Sequence, residues 1–427
     1  MQNHKKITPH RKESYLIMKI IKNLRLPRVI RGSNHTQYMK HYSLIVLLAL
    51  LVTSCKKDPP ILELKPSEFQ KNYGGLNDEF GKAGLEYTNG DLYAVASTNS
   101  FGSGQKDVYV IKTDAQGNTI WTKTFGGTGN DEPNEIIQTS DGNLLIIGTT
   151  ESYGAGGKDI YLLKIDTTGA MLWHKEFGGT SDEIGEDVMI TSDGNYLING
   201  ITSSFGNGLR DVYLVKTTSS GTVIWTKTYG GALDDGGISV CNGNSGNIML
   251  FCFTDNFGAV NRDCFVIKVN SVGDSIGSWL YGGADYEQAV SIEKTNDGNF
   301  NICGHTASFG HPEHNVYALK ITDAGTILWE KNYGDSFHDG AESGEQSDDG
   351  GYIFAGRTSS FGNHYEQAYL VKTDEAGNME WQKDFGGNED DAGYNMFETE
   401  NAYIIVGNTL SVTNGNNDVF LVKILKQ

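Results

Sequence analysis

From about residue 67 onward, short apolar runs alternate with clusters of Gly, Asn, Asp and Ser. Residues 186–191, 196–202, 211–216 and 223–229 form four such runs, separated by Ser192-Asp193-Gly194-Asn195, by a loop at Ser203-Ser204-Phe205-Gly206, and by a turn near Gly221. The runs are too short for helices and rich in β-branched and aromatic residues, so each predicts a β-strand. This block then repeats. The first glycine of an aromatic-glycine doublet falls at Gly74, Gly126, Gly178, Gly230, Gly282, Gly334 and Gly386, always 52 residues apart. The sixth doublet reads Gly334-Asp335 but keeps the register. Four antiparallel strands in a unit of fixed period describe one propeller blade.

The ends of the array favour a closed ring. The last unit stops at residue 427, before its fourth strand, and the missing strand stands at the front. Glu68-Phe69-Gln70-Lys71-Asn72-Tyr73-Gly74-Gly75 matches Ile120-Trp121-Thr122-Lys123-Thr124-Phe125-Gly126-Gly127, with Phe69 in the tryptophan position. An N-terminal strand that completes the C-terminal blade leaves no open edge, whereas an open solenoid would carry capping repeats. The expectation is an all-β, seven-bladed β-propeller over residues 67–427.

Columns that hold in nearly every unit read as scaffold. Lys112, Lys164, Lys216, Lys268, Lys320, Lys372 and Lys423 end the third strands, each preceded by a Tyr or Phe. Trp121, Trp173, Trp225, Trp329 and Trp381 lie in fourth strands, and the fourth unit departs with Gly277 there and Trp279 two places on. Large aromatics would fill the wedge between blades, with lysine stems over them. A carboxylate also recurs, at Glu79, Asp131, Glu183, Asp235, Glu287, Asp339 and Asp391. It sits in the link between blades, on the face that carries the loops between second and third strands. Two readings stay open: capping of its own turn, or a ring of ligand-binding groups at the channel mouth. The histidines break the repeat: His311, His314, His338 and His364 all fall in loops of that face and are candidate ligands for a transition-metal cation. No other cofactor is expected.

Residues 1–54 share nothing with the repeat. Lys and Arg number ten there, against one acid, Glu13, and the apolar run 44–52 ends in Thr53-Ser54-Cys55. The run is shorter than the roughly 20 residues a bilayer span needs and suits a secretory signal. Leu51-Val52-Thr53-Ser54-Cys55 resembles the lipobox of bacterial lipoproteins, which implies lipidation at Cys55. Met39-Lys40-His41-Tyr42 would itself open a compact signal peptide, making residues 1–38 a candidate extension outside the translated protein. Residues 55–66 would be a tether reaching at most about 40 Å. Without residues 1–54, the 34 basic residues fall to 24 and the 53 acidic ones to 52, a formal charge of −28. Such a domain disfavours nucleic acid as a partner. Cys241, Cys252, Cys264 and Cys303 stand mostly where other units have buried apolar residues. Cys252 and Cys264 flank one loop, and pairing in an oxidising compartment stays open.

Asp193-Gly194-Asn195-Tyr196-Leu197-Ile198-Asn199-Gly200 and Asp211-Val212-Tyr213-Leu214-Val215-Lys216 resemble the SBBP-like β-propeller repeats of Bacteroidetes lipoproteins and secreted proteins. The resemblance covers residues 67–427 and implies a noncatalytic extracytoplasmic module. With the leader, it implies a lipid anchor in the bacterial cell envelope, at the outer membrane on its surface or periplasmic side, and a protein or glycan ligand. Lys164 through Trp173 is similar to scaffold turns of quinoprotein and sialidase propellers, which keeps a glycoside hydrolase or quinone-dependent dehydrogenase as the alternative. Against a sialidase stands the supply of arginine, since residues 55–427 hold only Arg210, Arg262 and Arg357.

Overall fold

The computed structural model describes residues 68–426 except 260, 311–312, 363–364 and 412. The leader, Cys55, the tether, His311 and His364 lie outside the described residues. Among the described residues, 28 strands, numbered β1 to β28 in chain order, form seven four-stranded antiparallel sheets. The first blade is β2 (Glu79–Glu86), β3 (Leu92–Thr98), β4 (Asp107–Thr113) and β5 (Thr119–Phe125). Five more blades repeat that order. The seventh is made of β26 (Asp391–Glu398), β27 (Ala402–Thr409) and β28 (Asp418–Leu425), completed by β1 (Phe69–Tyr73). The pairing runs from Phe69 opposite Lys423 to Tyr73 opposite Val419, so the ring closes through the N-terminal strand.

Burial follows position in the blade. Every residue of β3 is buried, while β5 is largely exposed. Middle strands have a neighbouring blade against each face, and the fourth strand lies on the rim. The core is therefore a set of wedges between blades. Tyr93, Val95, Val108 and Val110 of the first blade meet Ile136, Leu144, Ile146 and Tyr161 of the second. The tryptophans close the rim side of these wedges, as where Trp121 meets Tyr93 edge-on at 5.9 Å and Trp329 meets Tyr352 at 5.1 Å. In the fourth blade, Trp279 shares a strand face with Gly277. A Cβ on Gly277 would come within 2.9 Å of its ring, so the glycine leaves the indole room to lie back over the vacant column.

The repeated lysines have a second function that the pattern alone concealed. Lys164 binds Asp141 at 2.6 Å, Lys216 binds Asp193 at 2.7 Å, Lys320 binds Asp297 at 2.8 Å and Lys372 binds Asp349 at 2.7 Å. Each ties the end of a third strand to the Asp-containing turn between the first two strands of its own blade. The fourth blade has Asn244-Ser245-Gly246 in that turn, and its Lys268 reaches instead to Asp323 of the fifth, at 2.5 Å. All four cysteines of the propeller are free. Cys252 lies opposite Phe265, and Cys264 opposite Phe253, on adjacent strands. Their side chains enter different wedges, which corrects the pairing left open above.

Candidate functional site

The inner strand of every blade carries a one-residue β-bulge, which turns side chains toward the axis. In β2 it lies between Gly81 and Ala83, so Lys82 is the extra residue. The equivalents, at the same 52-residue step, are Asn134, Glu186, Ile238, Val290, Glu342 and Tyr394. These seven side chains, with the residues that follow six of them, line a central cavity of about 200 Å³. Its wall is acidic on one side. Burial and neighbouring Asp187 push the Glu135 carboxyl up to about 8. Glu186 is pushed to about 7 and Asp187 to about 6, in each case first by burial. Further along the inner strands, burial raises Glu293 to about 7, and burial with Glu293 and Glu398 raises Glu345 to about 8. These groups touch channel solvent but are enclosed by protein on the remaining sides. Sequence reading passed over this ring, because its column runs Lys, Asn, Glu, Ile, Val, Glu and Tyr and holds no constant residue to mark it among other inner-strand columns that vary as much.

The seven recurrent carboxylates are elsewhere. Glu79, Asp131, Glu183, Asp235, Glu287, Asp339 and Asp391 each open an inner strand and are buried. Glu79 Oε2 accepts from the Gly75 amide at 2.7 Å, and Oε1 from Thr98 Oγ1 at 2.7 Å and the Ser100 amide at 3.2 Å. The amide bond recurs in every link, at 2.6 to 2.9 Å. Apart from Asp391 Oδ1, their oxygens are thus engaged in fastening each link to the loop between second and third strands, and all seven side chains are buried there. The doublet glycine follows from this crowding. A Cβ on Gly74 would stand 2.1 Å from Asp418 Oδ1 and 2.4 Å from Glu79 Oε2.

Two predicted histidines, His314 and His338, do come together, and a third, His305, joins them. One ring nitrogen from each lies within 4.8 Å of the others. His305 belongs to β19 (Phe300–Thr306), a fully buried second strand. His314 precedes β20 (Asn315–Ile321), and His338 precedes β22 (Asp339–Gln346). Backbone bonds hold both loop positions, since the Asp339 amide donates to the His314 carbonyl at 2.8 Å and the Ser359 amide to that of His338 at 2.8 Å. Gly340 provides the space for His305, because a Cβ there would stand 2.1 Å from the imidazole. His305 Nε2 lies 3.2 Å from Glu342 Oε1, close enough for charge attraction but outside hydrogen-bond geometry. Glu342 also meets Arg357 at 3.2 Å. Burial alone would raise the Glu342 carboxyl, but His305 and Arg357 hold it below its ordinary value. Burial, then His305, lowers both His314 and His338.

The arginines are engaged. Arg210 binds Asp234 at 2.7 Å, Arg262 binds Asp255 at 2.9 Å, and Arg357 lies between Glu342 and Glu366. Arg210 and Arg262 share Asp234 and the ring of Phe253, while Arg357 stands apart in β23 (Tyr352–Thr358), so the three are not gathered as a grip for one carboxylate.

No protein-family model and no curated protein matches the sequence. Solved structures do. The WD40 β-propeller domain of Doa1 aligns with a TM-score of 0.51 at 10% identity, over 83% of this chain and 97% of that one. A puromycin hydrolase aligns at 0.52 and 11% identity, over 80% of this chain and 51% of its own. A protein of unknown function from Dyadobacter fermentans aligns at 0.44 and 13% identity, over 85% and 100%. At such identities the likeness is one of fold, and the chain shares the β-propeller architecture.

Proposed function

We propose that this propeller is a noncatalytic binding or scaffolding module, lipid-anchored through Cys55 at a bacterial outer membrane, that takes a protein or glycan on its loop-bearing face. The observation that carries the reading is the surface of that face. Leu76, Phe101, Leu209, Leu233, Phe257 and Phe337 are all exposed there, Leu76 to 80%. They sit in the links between blades and in the loops between second and third strands. Hydrogen bonds such as Asn77 N to Ser100 Oγ, at 2.8 Å, lock these two sets of loops together. Apolar side chains held out to solvent on a fixed frame are the usual mark of an interaction surface. The apolar run ending at Cys55 supports the anchor.

Two experiments test the parts separately. Labelling of cells with a palmitate analogue is expected to mark the wild-type chain and not Cys55→Ser; equal labelling overturns the anchor. The full chain is then presented to a glycan array and to surface cross-linking, beside the double variant Leu233→Ser/Phe257→Ser. Signal is expected to fall about tenfold or more in the variant, roughly 1.4 kcal/mol of binding. Turnover of chromogenic glycosides, or quinone-dependent dye reduction, by the wild type would overturn the noncatalytic reading.

A further inference from the structure

We infer that His305, His314 and His338 form a binding site for one divalent transition-metal ion of the zinc class, between the fifth and sixth blades. The repeat itself provides the comparison. In the third blade, the positions equivalent to His314 and His338 are Arg210 and Asp234, joined as an ordinary ion pair at 2.7 Å. The position equivalent to His305 holds Ser97, Thr149, Ile201 and Phe253 in the first four blades. At this one junction all three columns become histidine together. A surface ion pair needs no such replacement, and a lone buried histidine would not need the other two.

The local chemistry fits. His314 Nδ1 and His338 Nδ1 are buried without a hydrogen-bond partner among the described residues, while His305 turns Nε2 toward Glu342, which leaves Nδ1 as its ligand atom. Buried polar atoms are seldom left so, and His305 is only 1% exposed. Neutral imidazole is the form that ligates. Zinc bonds of about 2.0–2.1 Å set tetrahedral ligands about 3.3 Å apart. The three ring nitrogens, all within 4.8 Å of one another, stand within about 1.5 Å of that spacing. Glu342 stands behind His305 as the carboxylate that orients a ligating imidazole, itself held by Arg357. Three imidazoles favour zinc, copper or nickel over calcium or magnesium, which prefer oxygen. The site rests on geometry independent of the binding role proposed above.

The test is equilibrium dialysis of the full chain against Zn²⁺, followed by metal analysis, with visible absorption after Co²⁺ loading. The leader contains histidines of its own, so the measure is the difference between variants. Relative to wild type, His314→Gln and His338→Gln, both half-buried and in loops, are expected to lose one equivalent of tightly held metal and the tetrahedral Co²⁺ bands. Glu342→Gln should weaken affinity about 10- to 100-fold. His174→Gln, in the second blade beside Glu176, should change nothing. Melting curves identify variants that remain folded. Equal metal content and equal Co²⁺ spectra in the wild type and a folded His314→Gln/His338→Gln double variant would overturn the site, as would failure of the wild type to take up metal.

Discussion

Single residues show how much an internal repeat can explain. The outer strands of four blades end in a tyrosine whose hydroxyl donates to a turn carbonyl of the next blade. Tyr73 reaches Gly117 at 2.6 Å, Tyr229 reaches Gly273 at 2.6 Å, Tyr281 reaches Gly325 at 2.7 Å and Tyr333 reaches Gly377 at 2.8 Å. The other three blades have Phe125, Phe177 and Phe385 in that column and dispense with the bond. Tyr281→Phe is therefore expected to fold and to lose about 1 kcal/mol in urea unfolding. A loss above about 3 kcal/mol would mean that the hydroxyl does more than this bond. Scaffold residues were legible in the sequence because seven copies of one environment select one residue. His305 was not. It sits in the apolar run Phe300-Asn301-Ile302-Cys303-Gly304 and reads as part of a buried strand, which it is. Its nearness to His338 arises from the packing of two blades, and no spacing along the chain expresses that.

At the scale of elements, strands and closure could be read because turn residues and a 52-residue step mark them. The bulges could not. An extra residue present in all seven inner strands leaves the period unchanged, so the ring around the axis emerges only once pairing is known. The closing strand makes a direct prediction. β1 contributes Phe69 and Tyr73 to the wedge with Tyr109 and Leu421. Deleting residues 68–73 is expected to cost at least about 3 kcal/mol, from about 1.5–3 kcal/mol for each lost aromatic. It also bares the edge of β28, which invites edge-to-edge association. Thermal melting and light scattering would register both, and a monomer with unchanged melting temperature would contradict the role given to β1.

For the whole molecule, acidity is uneven in its effect. Glu135, Glu345, Glu186, Glu293 and Asp187 have native pKa values of about 6 to 8, above those of ordinary carboxylates. Between the ordinary and the raised value the folded chain binds more protons than the unfolded one. Stability from these groups therefore falls as pH rises from the ordinary carboxylate range to about 8. Asp193, held down first by Lys216, works the other way: its contribution is present above the ordinary range and is lost as pH falls through its lowered value. A melting temperature highest near pH 5 and lower at pH 8 is expected by calorimetry. Glu345→Gln should recover about 1 kcal/mol at pH 8, discounted for the solvent in the channel. A melting temperature that rises from pH 5 to pH 8 would refute this account.

Closure of the ring also imposes an order in time. The first of the described strands to leave the ribosome pairs with the last, as in the bond from Asn72 to Asp418, 346 residues on. Through nearly all of synthesis β1 has no partner, while six blades can form behind it from local contacts. Joining two ends of a free chain that far apart would lose about 5 kcal/mol of loop entropy. Joining them after six blades have folded loses far less, because the curvature of the partial ring already brings them near. Completion should then be a late docking step that follows the folding of the other six blades, and until it occurs β28 displays an unpaired edge to any other unfinished chain nearby.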